Sequence, residues 1–250
     1  MDFFNQGIPL GRWFGIRVMI GWTFFIAVLW IMQDFTRNIE LGIFFIVLLF
    51  GTVLLHEFGH SLSCLMLGGQ APLIVLGPLG GVSYVQPPNR PSAWLITTVC
   101  GPLVNVVLWV GFWAVTKFAL PALARSMDPG STAFHWIALF CFLMVMINKG
   151  LLLFNLIPAY PMDGGRLLQE ILWLTMGYQI SLQVAGMVGT VAGGGLVVLG
   201  LGLQEIRIPY VDFRLGGEPN MFLVFIGIMC AMQSFAIYKQ SQEMKHWRKN

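Results

Sequence analysis

Residues 41–67 read LGIFFIVLLFGTVLLHEFGHSLSCLML. At 1.5 Å per residue such a run makes a helix of about 40 Å, more than the roughly 30 Å hydrocarbon core of a bilayer. No charge occurs over 41–55, and then His56, Glu57 and His60 fall within five positions. Two imidazoles and a carboxylate inside a span cost several kcal/mol unless they are paired or functional. Histidines four apart lie on one helical face, so both rings can reach one metal ion while Glu57 stands beside it. This is the H-E-x-x-H pattern of zinc sites. With 4 His and 6 Glu in 250 residues, independent placement yields roughly 0.0015 such matches per chain. The plainer alternative has both histidines hydrogen-bonded to neighbouring helices and Glu57 paired with a cation such as Lys149, and it must account for all three residues at once.

The rest of the chain suits such a helix. Hydrophobic side chains make up 57% and charged ones 10%, against about 25% charged in a soluble domain, and the mean hydropathy is +0.76. Too few polar groups remain to coat a water-facing surface, which excludes an ordinary soluble enzyme. The net charge is +3, but the basic residues are scattered rather than gathered in a stripe, so no nucleic-acid partner is expected. Cys64, Cys100, Cys141 and Cys230 lie in apolar stretches without paired spacing and form neither a disulfide framework nor a thiolate metal site. The opening MDFFNQGIPLGRWFGIRV carries Asp2 and no A-x-A site before the first apolar run. It is expected to be retained rather than cleaved as a signal peptide.

A window of about 19 residues predicts an all-α polytopic membrane protein, a single membrane-embedded domain over 1–250. About six transmembrane helices are expected, at 16–32, 41–67, 93–119, 133–157, 180–203 and 221–238. Segment 68–92 holds Gly68, Gly69, Gly77, Gly80 and Gly81 with Pro72, Pro78, Pro87, Pro88 and Pro91. It cannot be a continuous helix and is expected to form a short membrane-associated β-hairpin or a re-entrant loop. Glycines at 186, 189, 193, 194, 195, 200 and 202 mark the fifth span, either for close helix packing or for a bendable gate. Six spans put both termini on one side. Arg12, Arg17, Arg90, Arg166, Lys239, Lys245, Arg248 and Lys249 then share that side, against Arg37, Lys117, Arg125, Arg207 and Arg214 on the other. The bias makes both termini cytoplasmic.

A tetrahedral catalytic zinc takes three protein ligands and a water. Acids near the predicted spans are Asp34, Glu40, Asp163 and Glu170, and only Asp163 lies in unusual surroundings, NLIPAYPMDGG over 155–165. Two prolines break the helix where the fourth span ends, leaving backbone and a short carboxylate at membrane depth. The competing account makes Asp163 the N-cap of a helix over 164–177. Spans two and four run in the same direction, which brings His60 and Asp163 to the same cytoplasmic third of the bilayer.

HEFGH at 56–60 together with NLIPAYPMDGG resembles the site-2 protease family of intramembrane zinc metalloproteases, whose hallmarks are H-E-x-x-H and a distal N-x-x-P-x-x-P-x-D-G. Further likeness lies in GRWFGIRV (11–18), LGPLGGVSYV (76–85) and GPLVN (101–105), so that most of 10–176 is covered. Neither the PDZ nor the CBS domain of some relatives is read here. The resemblance implies one Zn2+ per chain held by His56, His60 and Asp163, with Glu57 as the catalytic acid/base. It also implies that Asn105 and Asn155 hold the substrate backbone, although a buried Asn capping broken backbone accounts for them equally well. Lys149, a charge where an apolar residue is expected, reaches either a headgroup or an acid such as Glu57 or Glu170.

The function so implied is regulated intramembrane proteolysis: a zinc endopeptidase cleaving transmembrane segments of membrane-protein substrates. The expected partners are a single-span substrate such as a membrane-anchored signalling or regulatory protein, the lipid bilayer, and a regulatory membrane protein. The expected location is a prokaryotic cytoplasmic membrane. A polytopic metal-ion transporter is the rival from another class, but it should spread its ligands over more spans and show inverted repeats, and neither is seen. A catalytically inactive scaffold is the second rival, and the intact Glu57 argues against it.

Overall fold

The computed structural model describes residues 7–247 other than 79, 129 and 209–212. Arg248 and Lys249 of the basic tail lie outside the described residues. The chain forms two compact units, residues 1–153 and 154–250.

The first unit opens with a hairpin, β1 (Gly7–Trp13) and β2 (Ile16–Gly21). Its two-residue turn is Phe14–Gly15, with φ of 55° and 82°, the left-handed pair that a tight hairpin demands. Ile16 and Val18 are buried while Arg17 between them is exposed, the period-2 alternation of a strand. The expected span over 16–32 is therefore split: 16–21 is strand, and α1 (Phe24–Asp34) has 11 residues. At about 16 Å it is too short to cross a bilayer alone.

α2 (Ile39–Met66) is the central helix, capped by Asn38, whose Oδ1 accepts from Leu41 N at 3.1 Å. The segment after it forms the expected hairpin, β3 (Gln70–Gly77) and β4 (Gly80–Gln86). β3 also runs parallel to β2, so that the four strands make one sheet ordered β1-β2-β3-β4. Ile16, Val18, Ala71 and Ile74 turn one sheet face onto Phe58, with Leu54 and Leu62 beside it. Phe24, Ala27 and Leu76 pack on Phe50 and Val53. α3 (Pro91–Ala114) starts on a proline, as suits a first turn whose amides are unpaired. It passes through one π-helical turn at 115–119 into α4 (Leu120–Ser126). α5 (Thr132–Asn155) follows.

The second unit contains α6 (Asp163–Met176), α7 (Tyr178–Gly200), a small hairpin of β5 (Glu205–Ile208) and β6 (Phe213–Gly216), and α8 (Met221–Trp247). Side chains at 186, 193 or 200 of α7 would collide with the α8 backbone at Tyr238, Ala231 and Val224. The glycines there serve close helix packing.

Among the described residues, five helices are long and apolar enough to cross a membrane: Ile39–Met66, Pro91–Ser126, Thr132–Asn155, Tyr178–Gly200 and Met221–Met244. Large apolar side chains such as Leu29, Val107, Phe118 and Val191 stay exposed along the helices, which only lipid tolerates in such number. The protein is an integral membrane protein.

Candidate metal centre

Successive residues of a helix are rotated by about 100°, so α2 presents different stripes to different neighbours. Leu54, Phe58 and Leu62 form the stripe under the sheet. His56 and His60 lie on another and meet α3. Glu57 and Ser61 lie between and meet β4: Gly81 faces Glu57, and Ser83 shares a hydroxyl hydrogen bond with Ser61. Four helical residues rise about 6 Å and two strand residues about 6.7 Å. That match lets Glu57 and Ser61 keep step with Gly81 and Ser83.

His56, Glu57 and His60 are all buried, and the polarity of both rings can be read from their partners. His60 Nδ1 is 2.8 Å from the Thr97 carbonyl of α3, which can only accept, so this nitrogen carries the proton. His56 Nδ1 is 2.6 Å from Asn105 Oδ1. Asn105 Nδ2 donates to Asn148 Oδ1 at 3.0 Å, and Asn148 Nδ2 donates to the Met144 carbonyl at 2.8 Å. Because that chain ends on a carbonyl, Asn105 Oδ1 is an acceptor and His56 Nδ1 is also protonated.

In the neutral rings the lone pairs then fall on Nε2, and the two Nε2 atoms stand 3.1 Å apart. Two nitrogens on one tetrahedral zinc, each at 2.0–2.1 Å, are about 3.3 Å apart. The pair thus presents the arrangement a zinc ion takes from histidine, with the distal nitrogen of each ring held by an oxygen.

Two glycines make room for these side chains. A methyl group at Gly101 would occupy the His60 ring, and one at Gly81 would strike the Glu57 side chain. Gly101→Ala is expected to displace His60, lower metal content and destabilise the fold by about 1–3 kcal/mol, as overpacking does. Gly81→Ala should leave metal bound while moving Glu57. Zinc content and hydrolysis measured on the same preparations would separate the two effects, and equal loss of zinc in both would contradict the assignment.

In the second unit, Asp163 is buried and is the first residue of α6. The helix begins one residue earlier than expected. Met162 occupies the N-cap with no side-chain cap bond, so the capping account of Asp163 does not hold. Side chains at Gly164 or Gly165 would collide with backbone at Leu156, Ile157 and Ala159, so loop 156–162 lies against the first turn of α6. Tyr160 N donates to Ser234 Oγ at 3.0 Å, tying that loop to α8, and burial pushes the Tyr160 phenol above its ordinary value. Asn155 is half-buried at the end of α5. Lys149, in the first unit, is buried within α5. Asn105, expected at the substrate, has its carboxamide on His56 and Asn148. Asn148 was not foreseen at all, and no local motif marks it.

The profile of Peptidase family M50 matches residues 120–199, a range that includes NLIPAYPMDGG. A candidate zinc metalloprotease of Synechocystis sp. is 33% identical over 221 residues, which are 82% of this chain and 55% of that protein. A zinc metalloprotease of Methanocaldococcus jannaschii is 31% identical over 206 residues, 82% of this chain and 56% of that protein. The solved site-2 protease of Methanocaldococcus jannaschii matches with a TM-score of 0.62 and 25% identity, covering 93% of this chain and 95% of that one. The chain resembles the site-2 protease family over nearly its whole length. It spans a little over half the length of the two curated relatives. The family's metal is zinc, which the imidazole pair on α2 suits.

Proposed function

We propose that this chain is an intramembrane zinc endopeptidase that cleaves transmembrane segments of membrane-protein substrates. His56, His60 and Asp163 hold the metal, and Glu57 is the acid/base. The observation that carries this reading is the histidine pair inside a span: both Nδ1 atoms are held by oxygen acceptors, and both Nε2 atoms converge on one point. Two neutral imidazoles and a carboxylate would supply the three protein ligands of a catalytic zinc. Zinc bound there supplies Lewis acidity to a peptide carbonyl and lowers the pKa of water. Glu57 accepts a proton from the attacking water as its oxygen bonds to the carbonyl carbon. The C–N bond then breaks, and Glu57 returns the proton to the departing nitrogen, giving a carboxyl and an amine end.

A helical substrate has its carbonyls bonded to amides four residues on, so the cut requires local unwinding. Substrates should carry Gly, Pro, Asn or Ser near the scissile bond. A single-span, membrane-anchored signalling or regulatory protein fits, timed by a regulatory membrane partner. Asn155 holds the unwound backbone, whereas Asn105 serves His56. Co-expression of such substrates with the wild type and with Glu57→Gln tests the reading. Fragments should appear only with the wild type, while a transporter or scaffold would give the same pattern with both.

The enzyme sits in a prokaryotic cytoplasmic membrane, as its bacterial and archaeal relatives suggest, with both termini cytoplasmic. That orientation follows the basic residues at each end and requires α1 with its flanking chain to act as a sixth crossing. Reporter fusions at the two termini should both report the cytoplasm. Termini on opposite sides would mean that only the five long helices cross.

A further inference from the structure

We propose that Asn148 sets the tautomer of His56, and with it the affinity for zinc, by fixing which end of the Asn105 carboxamide faces the imidazole. The proposal rests on His56 being a zinc ligand. A carboxamide is nearly symmetric in shape but not in chemistry, one end accepting and the other donating. With Oδ1 toward His56, Asn105 stabilises Nδ1–H and leaves the Nε2 lone pair for metal. Turned over, it would offer NH2 to a bare Nδ1, move the ring proton to Nε2 and remove the ligand. Nothing within the His56–Asn105 pair chooses between these states.

Asn148 makes the choice. Its Nδ2 donates to the Met144 carbonyl one turn back on α5, at 2.8 Å, and that oxygen can only accept. Asn148 Oδ1 must then point away, to Asn105 Nδ2 at 3.0 Å, which leaves Asn105 Oδ1 for His56 at 2.6 Å. Both asparagines are 0% exposed, so bulk water does not replace either partner. Polarity is passed from a backbone carbonyl of α5 through α3 to the metal-facing nitrogen on α2. His60 needs no such relay, because the Thr97 carbonyl is itself an acceptor of fixed sense. Each histidine is thus oriented by a backbone carbonyl, one directly and the other through two carboxamides. Asn148 is a positioning residue.

The test uses the 250-residue chain in detergent micelles, labelled with 15N at its 4 histidines, and reads the ring tautomers without metal and the zinc affinity by chelator competition. Wild type should show His56 as Nδ1–H. Asn148→Leu frees Asn105 to turn over, so His56 should shift toward Nε2–H and zinc binding should weaken by about 10- to 100-fold, as loss of a ligand's outer partner does. The double variant Asn105→Asp, Asn148→Leu should regain Nδ1–H and most of the affinity, because a carboxylate accepts at either end. Asn148→Leu with unchanged tautomer and affinity overturns the proposal, and so does a double variant no better than the single one. If leucine prevents folding, Asn148→Ala carries the same expectations. His56→Ala separates the two levels: retained zinc there would overturn His56 as a ligand, whereas lost zinc with an unaffected Asn148→Leu would overturn the relay alone.

Discussion

His56→Ala and His60→Ala should each yield a folded membrane protein that purifies almost without zinc and does not cleave. A protein-bound zinc gains about 10–16 kcal/mol over four ligands, so one imidazole accounts for about 2.5–4 kcal/mol, or roughly 70- to 900-fold in affinity. The loss should be larger at these positions than at an exposed histidine. Each ring is already held by its far nitrogen, His56 on Asn105 and His60 on the Thr97 carbonyl, so little ordering remains to be done on binding. Asp163→Asn should behave likewise, since an amide oxygen keeps the shape but loses the charge. Metal analysis of the purified variants checks this. Near-stoichiometric zinc in either histidine variant would move the centre elsewhere.

Glu57→Gln should do the opposite to metal and the same to turnover. Glu57 lies in the stripe of α2 that faces β4, between the histidine stripe and the one under the sheet, with Gly81 leaving space for its carboxyl. In the proposed site it stands beside the metal without being needed to hold it. Glutamine fills the same volume but cannot accept a proton from water. General acid–base groups contribute about 10²–10⁴-fold to rate, so zinc should stay near one per chain while cleavage falls by at least that factor. A variant that loses its zinc would instead make Glu57 a ligand.

The sequence made the candidate metal centre legible because polar residues are so costly inside a span that three of them on one helix demanded a common reason. The α6 loop was legible for a related cause, two prolines and two glycines beside an acid. The N-terminal hairpin was not. Apolar Ile16, Val18 and Ile20 run into the apolar α1, and a window of about 19 residues averages strand and helix together. The signal that could have separated them was Phe14–Gly15, a two-residue turn ending in glycine between alternating residues. Gly81 read only as one of the glycines that break segment 68–92, and Gly101 only as part of GPLVN, because the need for an absent side chain arises from Glu57 and His60 on another element. Asn148 was invisible for the deepest reason. Its role is a direction of hydrogen bonding, and a direction exists only once its neighbours are in place.

Zinc K-edge X-ray absorption on the purified wild-type chain tests the centre most directly. The account predicts a first shell of nitrogen and oxygen alone, at about 2.0–2.1 Å, with outer-shell scattering from two imidazoles. A sulfur scatterer at about 2.3 Å, from any of the 4 cysteines, or a shell without two histidines, would contradict it.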